Sequence, residues 1–183
     1  MKGPVITVGG PHGTGKSTYA SALATALGLR YVCAGELFRE LAKEKKLSLE
    51  KLSELAAKDP AIDKMIDERT KGEAKDGGVV IDAQLGAWMA RDLADVKVFI
   101  QAPDRVRFKR IAERDRISVA SARRETLARE EIQKRRYKKY YGINVDDLSI
   151  YDLKFNAGLF PLEKMKKIVI DNVRNFLAKK SVK

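Results

Sequence analysis

At 183 residues the chain is the length of one ordinary domain, and its 44% hydrophobic content supplies a core that needs no disulfide staples. With 34% charged residues, one cysteine (Cys33) and no apolar run near the ~18 residues of a membrane helix, it is not disordered, collagen-like, disulfide-built or membrane-spanning. The 37 Lys/Arg exceed the 25 Asp/Glu for a net +12, and the surplus is local: residues 105–139 hold 14 basic against 5 acidic side chains, whereas residues 36–76 hold 10 against 11.

A surplus so placed implies an anionic partner, whether nucleic acid, a membrane surface or small phosphates. The lone cysteine fits a reducing cytoplasm, and the opening residues have too short an apolar stretch for a secretory signal. Val5-Ile6-Thr7-Val8 reads as a buried strand, and residues 16–27 as a helix closed by Gly28. Arg30-Tyr31-Val32 is a short strand, and three polar helical stretches follow from about 35 to 75. Val79-Val80-Ile81 and Val96–Ile100 are two more strands. Pro103 opens a helix, and a long charged helix runs from about 118 to 141, ended by Gly142. Residues 151–155 form a fifth strand, and Pro161 opens the last helix. Strands alternating with helices predict an α/β fold, a single domain whose parallel sheet is covered on both faces.

Gly10-Pro11-His12-Gly13-Thr14-Gly15-Lys16-Ser17 satisfies G-x-x-x-x-G-K-[ST] between a predicted strand and a predicted helix, with Thr18 continuing the helix. Glycines let backbone N–H groups curl around phosphates, and the following helix points its positive end at them. Lys16 is placed to reach the terminal phosphates, and the Ser17 hydroxyl to ligate Mg²⁺. This is an ATP site by spacing and by context. His12 fills a variable position of the motif and reads as a bystander with no orienting carboxylate nearby. Cys33 reads as a small buried hydrophobe.

Phosphoryl transfer needs alignment and positive charge more than covalent chemistry. Arg107, Arg110 and Arg114 share one helical face, as do Arg129, Gln133, Arg136 and Tyr140 on the long helix. Lys134, Lys138 and Lys139 fit a solvated surface better. Asp82, at a strand's carboxyl end, is a candidate to hold Mg²⁺ through water or to contact the acceptor. Asp63 and Asp67 read as solvated surface beside Lys64 and Arg69.

These residues make the chain resemble the archaeal cytidylate kinase family of nucleoside monophosphate kinases. The likeness is carried by the phosphate loop, Ala34–Glu40, Ile62-Asp63 to Asp67-Glu68-Arg69, Leu85 through Trp88-Met89, and Ala102-Pro103 through Ala112. Arg129-Glu130, Arg136-Tyr137 and Tyr141 through Leu153 complete it. The resemblance implies a five-stranded parallel sheet between helical layers, a helical acceptor-binding insert around 34–76 and a lid around 113–125. It implies ATP with Mg²⁺ as donor and CMP or dCMP as acceptor; the lone cysteine points to the cytoplasm, and a monomer is the default expectation. Gly35 and Arg39 would hold the acceptor phosphate with Asp82 nearby, while Lys16, Arg110, Arg129 and Arg136 would surround the transferred group.

The chain departs from the family where related kinases read cytosine. It has Asp82-Ala83-Gln84-Leu85 for an expected Glu-Gly-Arg-Leu, and Gln133 for an expected acid. Two glutamines, which donate and accept, replace an arginine and an acid. Kinases of AMP, UMP or another small acceptor are the nearest alternatives. From a different class, an RNA-associated ATP-binding protein would use the basic segment on phosphate backbones, although only Tyr137, Tyr140 and Tyr141 interleave it.

Overall fold

The computed structural model describes residues 2–180, apart from the side chains of residues 49, 50, 53, 54 and 57. Five strands, β1 (Val5–Gly9), β2 (Arg30–Cys33), β3 (Val79–Asp82), β4 (Val96–Gln101) and β5 (Leu153–Asn156), form one sheet in the order β2-β3-β1-β4-β5. All its pairings are parallel. β1 and β3 are buried along their whole length, which is why they read as continuous apolar runs rather than as alternation.

One face is covered by α1 (Lys16–Leu27) and α8 (Leu162–Lys180), whose Tyr19, Leu23, Val169 and Val173 pack on Ile6, Val8, Val98 and Ile100. On the other lie α4 (Pro60–Asp76) and the short α5 (Gly86–Ala90), which sequence patterning does not announce. α5 is a five-residue helix whose buried Gly86 and Ala87 let it lie close over the sheet.

The polar stretch resolves into α2 (Ala34–Glu44), α3 (Leu49–Lys58) and α4, with Ser48 and Asp59 capping the last two. Their apolar sides meet in a cluster of Leu41, Ala42, Leu52, Ala56, Ile62 and Ile66, so this insert carries its own small core. α6 (Asp104–Asp115) and the long α7 (Val119–Tyr141) form a helical hairpin. Segment 113–125, expected as a lid, is mostly helix. Arg116 turns the chain with φ 56°, and Ser118 caps α7 by accepting from Ser121 N–H at 3.0 Å.

β5 starts two residues later than the sequence suggests. Tyr151 is buried against Trp88 and Phe99 before the strand begins. Asp152 then bridges to the Lys97 backbone, donating to its carbonyl and accepting from its N–H at 2.7 Å.

Candidate active site

The Gly-rich loop leaves the carboxyl end of β1, the central strand, and turns into α1. Two glycines there have steric causes. A Cβ on Gly10 (φ 140°) would lie 2.0 Å from the Ile100 carbonyl of β4, and one on Gly13 (φ 76°) 2.7 Å from the Arg107 carbonyl of α6. Gly15, also at positive φ, ends the loop at the amino terminus of α1.

Side chains hold the loop's carbonyls. Pro11 O accepts from Thr14 Oγ1 at 2.9 Å and from Lys16 Nζ at 3.1 Å; His12 O accepts from Arg107 Nε at 2.8 Å. Thr14 O accepts from Arg110 Nη1 at 3.1 Å. The N–H groups of Gly13, Gly15, Lys16 and Ser17 have no hydrogen-bond partner among the described residues, which is what a phosphate cradle requires. Thr18, exposed at the start of α1, donates its N–H to Gly15 O at 3.0 Å. Burial around Lys16 lowers its ammonium pKa, opposed by the neighbouring Asp82 and Glu130 carboxylates.

Asp82 ends β3 beside β1 and is buried. It accepts from Ser17 Oγ at 2.5 Å and from Tyr31 Oη of β2 at 3.1 Å, so two neighbouring strands and the loop converge on one carboxylate. A cleft of about 880 Å³ opens from this point between the insert and α7. The loop contributes His12, Lys16 and Ser17 to its lining, and the insert side Gly35 and Arg39. Asp82 and Gln84 lie at its floor, with Arg129, Gln133 and Arg136 on α7. Gln84 also borders a smaller cavity of about 280 Å³ with Trp88 and Tyr151.

Arg110 stands apart from these. It lies behind the loop, its second contact being Ala157 O at 3.3 Å. The arginine face expected on α6 is therefore not one site. Arg107 is buried and pairs with Asp104 and Glu130, whereas Arg114 pairs with Asp115 at the surface.

The readings of Cys33, Asp63 and Asp67 are corrected, and His12 gains contacts. His12, read as a bystander, has partners on α7 that the sequence does not show: Glu130 Oε1 accepts from its backbone N–H at 3.0 Å, and its ring Nε2 lies 2.9 Å from Gln133 Oε1. Cys33 is half-buried and lines the cleft, its thiol pKa raised by burial and by Asp82. Asp63 and Asp67 are not solvated surface but half-buried cleft walls. Asp63 Oδ2 stands 2.9 Å from Arg136 Nε at an angle too poor for a hydrogen bond, so this is an ion contact only. Asp67 accepts from Tyr141 Oη, and burial pushes its carboxyl up to about 6. None of these contacts is visible in a sequence, because each joins α7 to the loop or to α4 across more than 60 residues.

The chain is similar to proteins whose names agree with this geometry. A family model described as "AAA domain" matches residues 6–133. The cytidylate kinase of Staphylothermus marinus is 48% identical, covering 94% of this chain and 98% of its own length. That of Aeropyrum pernix is 45% identical over 91% and 97%. A gluconokinase from Sinorhizobium meliloti superposes with a TM-score of 0.65 at 15% identity, covering 98% of this chain and 96% of its own, a likeness of fold. A Gly-rich phosphate cradle opening onto a cleft that Arg39, Arg129 and Arg136 line is thus accompanied by near end-to-end likeness to these kinases, and the chain belongs to the cytidylate kinase family.

Proposed function

We propose that this protein transfers the γ-phosphoryl group of ATP to CMP or dCMP, forming ADP and the pyrimidine diphosphate. The carrying observation is that the Lys16–Ser17 cradle and Arg39, Arg129 and Arg136 line one cleft. An acceptor phosphate oxygen attacks the γ-phosphorus in line, and the bond to the β–γ bridging oxygen breaks as charge spreads over the transferred group. Lys16 and the α7 arginines neutralise that charge, and no protein group need be phosphorylated. Arg110 supports the loop from behind through Thr14 O and Ala157 O. Its assignment to the phosphates rests on closure of the α6–α7 turn over the site.

The Ser17 hydroxyl and the Asp82 carboxylate, two hard oxygen donors in contact at the cradle's edge, fit Mg²⁺. Ser17 would ligate it and Asp82 would hold it through water; bound there, the ion shields the phosphate oxygens. The protein is read as a cytoplasmic monomer. Among the described residues no helix is long and apolar enough to cross a membrane, and Cys33 is a free thiol. The relatives' names disfavour the RNA-binding alternative.

Coupled detection of ADP with CMP, dCMP, UMP and AMP as separate acceptors tests the reading. Turnover is expected with CMP and dCMP and depends on added Mg²⁺. ADP formation that ignores every monophosphate and responds to RNA would overturn it.

A further inference from the structure

We propose that His12 is a positioning residue for acceptor recognition: its ring holds the Gln133 carbonyl, so that Gln133 turns its NH₂ group to the acceptor nucleoside. The inference rests on reading the cleft as the acceptor site. It assigns a task to the chain's only histidine and a sense to one of the two glutamines that depart from the family pattern.

The backbone of His12 is clamped from both sides, its N–H by Glu130 Oε1 at 3.0 Å and its carbonyl by Arg107 Nε at 2.8 Å. The ring is thereby set against α7, with Nε2 2.9 Å from Gln133 Oε1. Burial and the nearby Arg129 guanidinium hold the imidazole down at about 4, well below its usual range, with Lys16 adding to the effect and Gln133 and Glu130 opposing it. Near neutral pH the ring is therefore uncharged and carries one N–H. A carbonyl oxygen only accepts, so that hydrogen sits on Nε2 and Nδ1 is bare.

With Oε1 engaged, Gln133 has two N–H donors left for the cleft that it lines. An unheld glutamine amide offers either end, because its terminal torsion is broad and roughly two-fold. The choice has consequences here, since the cleft presents both donors, Lys16, Arg129 and Arg136, and carboxylate acceptors, Asp63, Asp67 and Asp82. Released from His12, the carbonyl would turn toward these cations and the amide would no longer be fixed as a donor. A fixed donor reads a lone-pair atom. On a pyrimidine nucleotide this is O2 or N3 of the base or an oxygen of the sugar. Cytosine N3 bears a lone pair where uracil N3 bears hydrogen, and O2 is common to both, so reading at N3 separates CMP from UMP, whereas reading of the 2′-oxygen separates CMP from dCMP.

Long-range ¹H–¹⁵N spectroscopy of the whole chain reads the single histidine directly. A neutral Nε2–H ring with a midpoint near 4 is expected; an Nδ1–H ring would overturn the proposal without reference to any activity. Gln133→Glu should raise that midpoint, because a carboxylate then faces Nε2, and an unmoved midpoint counts against the contact. In steady state, His12→Ala keeps both backbone clamps and should raise KM for CMP about tenfold, the scale of one hydrogen bond. KM for ATP should stay within about twofold, a split expected of lost acceptor binding alone. His12→Gln, whose terminal N–H can stand where Nε2–H stood, should recover most of the loss. Equal rises in both KM values, or none, refute the assignment. A change in the CMP/UMP ratio locates the read atom at N3 and a change in CMP/dCMP at the 2′-oxygen, whereas a rise common to all three acceptors locates it on an atom they share, such as O2. Absence of ADP formation from every monophosphate by the unaltered protein would sink the kinase reading instead and leave the spectrum to decide on His12.

Discussion

The phosphate loop and the wall formed by the insert and α7, which we propose as the acceptor wall, line one cleft and are built in opposite ways. On the loop, the carbonyls of Pro11, His12 and Thr14 are each held by side chains from Thr14, Lys16, Arg107 or Arg110. On the acceptor wall, Arg39 is exposed, with only a 3.8 Å contact to Glu36, and the Asp63–Arg136 contact lacks hydrogen-bond geometry. The difference follows from the charge each must handle. Charge develops at the loop during transfer, so dipoles fixed beforehand cost no reorganisation then. An acceptor that comes and goes needs partners that exchange readily, and the exposed Arg39 with its long contact to Glu36 is such a partner.

The sharpest way to break the comparison is to remove the loop's support from behind. Arg107 is 7% exposed in its side chain and pairs with Glu130, itself 12% exposed. Arg107→Ala leaves that carboxylate without its cation, held only by the His12 N–H, and frees the His12 carbonyl. Loss of one partner of a buried pair should cost about 3–5 kcal/mol, measured by denaturant unfolding. A cost under about 1 kcal/mol, as for a surface pair, would show that the loop is not braced by α6.

Next in size is Lys16→Ala. Lys16 points into the cleft and its one hydrogen bond goes to Pro11 O, so its removal leaves the fold intact. Loss of an electrostatic contact of this kind should slow transfer by about 3–4 kcal/mol in activation free energy. A soluble variant that keeps most of its turnover would mean that the loop does not hold the donor.

Much of this was legible in advance, for reasons that differ by region. The strand runs, the Gly-rich loop and the capped helices follow from local rules of period, steric freedom and capping, and all five strands are found, β5 two residues later than those rules put it. The brace behind the loop was not legible. Arg107 and Arg110 look alike along the sequence, and only the close approach of α6 to Gly13 decides that one is buried on Glu130 while the other reaches Thr14. The same limit hid His12 and the Asp63–Asp67 wall, whose partners come from α7. Local charge balance did separate the neutral insert from the basic hairpin, because charge density survives ignorance of which side chain faces which.

The acceptor wall also predicts a dependence on pH. Burial raises Asp67 from 3.8 to about 6, with Asp63 adding repulsion and the Tyr141 hydroxyl opposing it. The folded state therefore holds a proton that the unfolded chain has released, and stability falls as pH rises from about 4 to about 6. The full shift corresponds to about 3 kcal/mol, and partial exposure reduces this to about 1–2 kcal/mol. Asp67→Asn, which still accepts from Tyr141, should match the parent in stability near pH 4 and exceed it by that margin near pH 7. Unfolding curves at the two pH values decide it, and a constant offset would assign the effect to packing rather than to the proton.

The smallest expected effect separates geometry from charge density. Arg129 and Arg136 lie two helical turns apart on α7 and both line the cleft. Lys138 and Lys139 follow on the same helix, are exposed and do not line it, Lys139 lying over the Tyr140 ring at 5.5 Å. Lys138→Ala and Lys139→Ala should each change stability by less than about 0.5 kcal/mol and leave turnover at fixed salt nearly untouched. Against them, Arg129→Lys and Arg136→Lys keep the charge and lose only the planar fork that grips two phosphate oxygens at once. Each should lower turnover well beyond the effect of the alanine variants. If the lysine-to-alanine pair proves as damaging as the arginine-to-lysine pair, the cleft works as a diffuse positive field and not as a set of directed contacts. The contrast between a fixed loop and an exchangeable wall would then have to be redrawn around net charge, with salt titration of all four variants as its measure.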